Sequence, residues 1–508
     1  MQQKKPVLRR LIGLVASSQF FWVIVGIFGL QAAWIALTGR YPMAFDENFH
    51  LGIIRLYAHH LSPFWSGQPA GGDAFGAVAR DPSYLYQYLM SFPYRLISVF
   101  THDQTIQVII LRFINIILFG ASLPIFRRLL LKIGASRGVV HLCLLLFVLL
   151  PIVPLLAAQI NYDNLLIPVV GLVLLEVTNF SDHIKKSQPI DVTRLLAIII
   201  GCLLASLIKY AFLAVFMATI IYMIIRLRQV YDSFGVVRTQ LTAGARLVRR
   251  QTWVLLIIGL IISGGLFGER YGINLVRYHA PVPACGQVLS VKACSAYGPW
   301  ARDYSLELSK SYRSTTKDPI TFTSDWLYGM WLRTFFAVDG PDTDFQTRGP
   351  LPVPALTAIV FVVAGVLSIV VYGRRLLRQY NAPLIRLLAL VEICYIGALW
   401  LDEYRSFLQT GDTVAINGRY LLPVVLPLLV IGALALKEAL KHFPAFVKPL
   451  VAGLAVLSLV WGGGALTYIL RSNDAWYWPS PVMRDANHVI KNVLKPITPG
   501  YNDPIEFL

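Results

Sequence analysis

Eleven runs of apolar residues dominate this 508-residue sequence, at roughly 20–38, 106–125, 139–158, 165–180, 195–208, 211–225, 253–267, 351–372, 387–401, 420–436 and 450–470. A helix needs about 20 apolar residues to cross a bilayer. Soluble domains carry about 25% charged residues, whereas this chain carries 14% and is 56% hydrophobic. The sequence therefore predicts an all-α polytopic membrane protein with about 11 transmembrane helices. The stretch from 195 to 225 is too long for one ordinary span, and Lys209-Tyr210 marks the split.

A net charge of +18 could suggest nucleic acid, but its placement points elsewhere. More than half of the 45 Lys and Arg residues fall in alternate short loops that hold few acids. Examples are Lys4, Lys5, Arg9 and Arg10; Arg127, Arg128, Lys132 and Arg137; Lys185, Lys186 and Arg194; Arg226 and Arg228; Arg374, Arg375 and Arg378; and Lys437 and Lys441. That is the positive-inside asymmetry. It predicts that these loops are cytoplasmic, that the amino terminus is inside and the carboxyl terminus outside, and that no nucleic acid is bound. The first run is longer than the apolar core of a signal peptide, so it reads as an uncleaved first helix.

The remaining mass then falls on the outer side. Residues 1–268 form an amino-terminal transmembrane module with a first external loop at 39–105. Residues 269–350 form a large external loop between spans 7 and 8, residues 351–470 a second transmembrane module, and residues 471–508 an external polar tail. Within the first loop, 51–61 and 83–100 are amphipathic and aromatic-rich, a composition suited to helices lying at the interface. Cys143, Cys202 and Cys394 fall inside apolar runs and read as small buried hydrophobes. Cys285 and Cys294 share the large outer loop, where a disulfide persists, and are expected to pair.

The first run hands the chain to Asp46-Glu47-Asn48-Phe49-His50. An acidic pair at a membrane boundary is a functional candidate by default. The bland alternative is that Asp46 caps a helix starting at Glu47. Asp81-Pro82 is a second helix-start signal. The short loop at 159–164 places Asn161 and Asp163 at the membrane surface, as a tight turn would in any case. Lys209 either snorkels or binds an anion. Arg419 and Tyr420, in Gly418-Arg419-Tyr420-Leu421-Leu422-Pro423, either hold phosphate oxygens or anchor the helix at the interface. Arg112 and Asn115 lie one turn apart in the second run, facing another span or a cavity.

A first span followed at once by Asp46-Glu47, amphipathic helices in the first loop and Asp163 in the second resembles the GT-C membrane glycosyltransferases. That superfamily includes the protein O-mannosyltransferases and the aminoarabinose transferases. Asp46-Glu47 with His50, Asp81-Pro82 with Tyr84 and Tyr86, and the 418–423 motif look most similar to a bacterial branch of it. The resemblance implies a multi-pass protein of the bacterial cytoplasmic (inner) membrane. It would transfer one sugar, with inversion, from a polyprenyl-phosphate donor to a glycan, lipid or protein acceptor outside. It assigns the base to Asp46, with Glu47 and His50 orienting it or the acceptor. Asp81, Tyr84, Tyr86, Asn161 and Asp163 would bind substrate or acceptor, and Lys209, Arg419 and Tyr420 the lipid phosphate. Some members use a divalent metal; the sequence leaves that open. A transporter or flippase for an anionic or lipid-linked envelope precursor is the competing class. Such proteins often show two matching halves with broken helices, and no such pairing is visible here.

Overall fold

The computed structural model describes residues 5–184, 188–310, 318–335, 338–340, 347–348, 352–414 and 416–498. Lys4, Lys185, Lys186, Leu351 and the last ten residues of the tail lie outside these. Each of the eleven apolar runs lies on helix, and nine of the helices among the described residues are long and apolar enough to cross a membrane. They are Ser18–Thr38, Gln104–Leu131, Asp163–His183, Phe212–Val230, Arg250–Tyr278, Thr357–Gln379, Ala382–Thr410, Gly418–His442 and Val447–Arg471. The two remaining runs give shorter pieces. Val192–Ile208 ends at Lys209, where the long apolar stretch was expected to turn. The third run breaks into Arg137–Val148 and Ile152–Ala157.

That break has a cause and a partner. Pro151 lacks an N–H, and its ring excludes the preceding turn, which frees carbonyls that hydrocarbon would leave unpaired. Gly464 donates its N–H to the carbonyl of Leu149. Gly464 itself stands at φ +58, and a Cβ on the neighbouring Gly463 would collide with the Leu149 carbonyl. Two interrupted helices thus close each other's gaps.

Two helices organise the segment between the first spans: Glu47–Ala58 and Leu85–Phe100. Both coincide with the amphipathic patches. The first buries Leu51, Ile53, Ile54 and Tyr57. Its carboxyl end is capped from the second, because Arg95 donates to the carbonyls of Ala58 (2.7 Å), Tyr57 (2.5 Å) and His60 (2.9 Å). The expected start at Asp81-Pro82 is displaced. Asp81 Oδ1 accepts from the backbone N–H of Ser83 at 2.8 Å, closing a local turn, and helix begins only at Leu85. Farther along, Arg250–Tyr278 contains a wider π-type turn at Gly268–Gly272. From it Glu269 pairs with Arg80, and Arg270 donates to the carbonyls of Ala79 and Pro63.

The stretch from 471 is no free polar tail. Arg40 N–H donates to the carbonyl of Trp476 (2.8 Å), Trp478 N–H to that of Thr38 (3.1 Å), and Trp34 Nε1 to Asn487 Oδ1 (3.2 Å). The end of the chain thereby closes the end of the first span. The only strands among the described residues are two-residue segments, Val338–Asp339 against Thr347–Arg348.

Cys285 and Cys294 are joined in a disulfide, with Cα atoms 5.9 Å apart. Cys143 and Cys202 are buried free thiols and Cys394 is partly buried. Alkylation of the denatured, unreduced protein is therefore expected to label those three thiols, and prior reduction to add two. Five labels without reductant would show that the bridge does not form.

Candidate functional site

Asp46 does not cap the helix that follows it. Its carbonyl accepts the first helical bond, from His50 N–H at 3.0 Å, but its side chain makes no cap bond. Phe45 and Asp46 both lie in the left-handed region, at φ +67 and +66. For residues with a Cβ this costs on the order of 1–3 kcal/mol each, and such strain concentrates at functional sites. The surroundings hold it in place. The Phe45 carbonyl accepts from Asn161 Nδ2 (2.8 Å) and from Arg419 Nη1 (2.7 Å). The result turns the Asp46 carboxylate away from the helix onto Arg419, with Nη2–Oδ2 at 2.5 Å.

The two partners differ in access. The Arg419 side chain is 5% exposed, whereas that of Asp46 keeps 49% of its surface open although it is ringed by protein on every other side. Burial alone would raise the Asp46 pKa. The charge and hydrogen bond of Arg419, aided by Lys209, outweigh burial and hold it below the ordinary 3.8. Asp46 is thus an accessible carboxylate kept ionised.

Arg419 owes its position to its neighbour. The end of the helix Pro319–Phe335 packs so closely on Gly418 that a Cβ there would collide with the backbone of Arg333 and Thr334. Asn417 Oδ1 accepts from Arg419 N–H at 3.1 Å, starting a single 3-10 turn before the span. The guanidinium then lies over the rings of Phe45 (5.3 Å) and Tyr420 (5.1 Å). Beyond Tyr420 sits Lys209, its Nζ 4.7 Å from that ring, 4.6 Å from the Tyr162 ring and 2.8 Å from Asp163 Oδ1. Two ion pairs therefore flank one tyrosine. Asp163 Oδ2 and Arg419 Nε are buried and have no hydrogen-bond partner among the described residues.

Glu47 has a different place from the orienting role expected of it. It is fully buried, and Arg112 grips it through two bonds, Nε–Oε1 at 2.8 Å and Nη2–Oε2 at 2.6 Å. Its oxygens also accept from the backbone of Met43 (2.8 Å) and Ile160 (3.2 Å). Arg112 Nη1 donates to the carbonyls of Ala36 (3.1 Å) and Gly39 (2.6 Å) at the end of the first span. With both oxygens so engaged, Glu47 is a clamp. Tyr86 and Asn161 also face inward. The Tyr86 hydroxyl donates to Asn115 Oδ1 at 2.8 Å, and Asn161 joins Phe45 to Asp163. Tyr84 is buried beneath the Arg270 guanidinium, 4.4 Å from its ring, and Asp81 is tied to Ser83.

His50 stacks edge-on against Tyr162, with centroids 4.5 Å apart. With the Gln87 amide oriented to satisfy both its ends, His50 Nδ1 donates to Gln87 Oε1 at 3.1 Å, and Nε2 is left buried without a partner among the described residues. Burial drives the His50 pKa from 6.5 to about 3, so the ring is neutral. Below about pH 6.5 the unfolded chain takes up a proton that folded His50 refuses until about 3, so stability falls with pH across that window. Asp46 acts in the same direction at lower pH, losing its contribution as pH falls from 3.8 through its lowered pKa. The thermal midpoint of the detergent-solubilised protein is expected to drop between pH 6.5 and 4, and His50→Gln to flatten that slope. An unchanged slope in the variant would assign it to other groups.

Tyr297, just past the disulfide, reaches the same region. Its ring lies 5.8 Å from that of Phe49, and burial first, then the Asp46 carboxylate, raise its phenol pKa. Nothing in its local sequence signals this. Arg112 did carry a signal, since a charge inside a span requires a partner. Among the described residues no three His, Cys, Asp or Glu side chains converge to hold a metal ion.

No family profile and no curated protein matches this chain. Among solved structures it is similar to the archaeal oligosaccharyltransferase AglB from Archaeoglobus fulgidus, in complex with an inhibitory peptide and a dolichol-phosphate. The TM-score is 0.42 and the identity 13%, over 96% of this chain and 61% of that one. The chain thus spans about three-fifths of the length of that structure.

Proposed function

We propose that this protein is an integral membrane glycosyltransferase that moves a sugar from a polyprenyl-phosphate donor to an acceptor hydroxyl. The site is the end of the helical bundle where Asp46 lies, facing outward from a bacterial cytoplasmic membrane. The observation that carries this reading is Asp46 itself, a strained residue whose half-open carboxylate is kept ionised by Arg419.

The chemistry balances around that pair. The acceptor oxygen bonds to the anomeric carbon while its proton passes to Asp46. The bond from that carbon to the phosphate oxygen breaks, and the electron pair leaves with the lipid phosphate. As Asp46 is neutralised, the Arg419 guanidinium loses its counter-charge at the moment the phosphate gains negative charge. A fixed cation that becomes available only then stabilises the transition state more than the ground state. Lys209, held by Asp163 and two aromatic rings, adds its field from behind. Inversion follows from attack opposite the leaving phosphate. A carboxylate suffices as base because the phosphate already activates the carbon.

The direct test is turnover of synthetic polyprenyl-phosphate sugars by purified protein with glycan, lipid and protein acceptors. Arg419→Ala is expected to weaken donor use and cut the rate by roughly 10²–10³ while the protein still folds. Loss of folded protein with unchanged turnover per folded molecule would make Arg419 an anchor. Movement of the donor across proteoliposomes without transfer would replace the enzyme reading with a transporter.

A further inference from the structure

The helix Pro352–Gln379 ends in an open groove of about 460 Å³ that contains Arg374, Arg375 and Arg378, with Tyr372 and Gln379 beside them. Three features make it more than a charged helix end. None of the three arginines has an ion-pair partner among the described residues. The nearby acid, Glu438, is buried and already engaged, by Lys441 at 2.5 Å and by the Gln379 amide at 2.9 and 3.2 Å. The face leading to Arg374 and Arg378 is apolar and open: Val363, Leu367 and Val370 precede them at helical spacing and are 50%, 59% and 76% exposed. The cations thus end an exposed apolar stripe and have no paired anion among the described residues.

We propose that this groove is a binding site for an anionic phospholipid. Its headgroup phosphate would lie among Arg374, Arg375 and Arg378, and its acyl chains along the face of Val363, Leu367 and Val370. Guanidinium groups match phosphate oxygens in bidentate geometry. Basic pockets beside transmembrane helices take such headgroups. An aliphatic face of about two turns directly above supplies what a free phosphate would not use. The site lies apart from the Asp46 region and does not depend on any reaction there.

The test uses the full chain in nanodiscs of equal phosphatidylglycerol and phosphatidylcholine, with lipids retained on the purified protein counted by native mass spectrometry. Wild type is expected to retain phosphatidylglycerol selectively. Each arginine near an anionic surface contributes about fivefold. Retention should therefore fall about a hundredfold in Arg374→Gln/Arg375→Gln/Arg378→Gln and about fivefold in Arg375→Gln alone. The triple change to Lys keeps the charge but not the bidentate fork, and should recover retention only in part, which also reports on folding if the Gln triple accumulates poorly. Arg246→Gln/Arg249→Gln/Arg250→Gln alters net charge equally elsewhere and should change nothing. Equal loss in both Gln triples would reduce the cluster to general charge bias. No preference for phosphatidylglycerol, or displacement of the lipid by millimolar inorganic phosphate, would also overturn the proposal.

Discussion

Asp46→Asn is expected to abolish transfer while leaving the fold in place. An amide cannot accept the acceptor's proton, and loss of a general base lowers rates by about 10²–10⁴. The backbone should survive, because Asn is among the residues most tolerant of the left-handed region that Asp46 occupies at φ +66. Its Oδ1 can also still accept from Arg419. The variant should still fold, with a thermal midpoint lowered because the buried Arg419 loses its counter-charge, and should bind the lipid donor while its turnover per folded molecule collapses. Asp46→Glu keeps the charge but places a longer side chain on a strained backbone, and should recover little activity. If Asp46→Asn turned over at the wild-type rate, Asp46 would not be the base. The unpartnered Nε2 of His50 would then be the next group to examine.

The adjacent residue should behave in the opposite way. Glu47→Gln leaves the Arg112 guanidinium charged and uncompensated in a site where both side chains are fully buried. Breaking a buried pair from one side costs about 3–5 kcal/mol. Folded yield and thermal midpoint in detergent should drop sharply, with activity falling only in proportion to folded protein. Replacing both partners, as in Glu47→Met/Arg112→Met, removes the stranded charge and should recover part of the loss. The contacts to the carbonyls of Ala36 and Gly39 and to the N–H groups of Met43 and Ile160 would still be missing. A stable but inactive Glu47→Gln would instead give Glu47 a direct part in the chemistry.

The contrast between these neighbours shows what a linear reading can reach. The helices were legible because hydrocarbon enforces long apolar runs, and all eleven runs lie on helix. Lys209-Tyr210 was legible as a turn because two polar residues interrupt such a run. Asp46 stood out by its place at a membrane boundary, yet its unusual backbone could not be read. Two left-handed residues in succession depend on Asn161 and Arg419, which are 116 and 374 positions away from Phe45. Glu47 looked equivalent to Asp46 because the two are adjacent carboxylates in the sequence, and only tertiary structure says which of them meets Arg112. Asp81-Pro82 misled because the carboxylate bonded two residues ahead, which closed a turn before helix could start. Tyr297 was invisible: its approach to Phe49 depends on how a distant loop folds back.

The pairing of Asp46 with Arg419 also sets a timetable for biosynthesis. The two residues are separated by 373 positions, and ribosomes add about 5–20 residues per second. Asp46 therefore leaves the ribosome roughly 20–75 s before its guanidinium exists. During that interval the left-handed turn has neither Arg419 nor the closure supplied by Trp476 and Trp478 against the first span. The nascent chain cannot hold a finished site, whatever spans it has already inserted. Activity should appear abruptly, late in synthesis, and chains stalled before residue 419 should be membrane-integrated but inert.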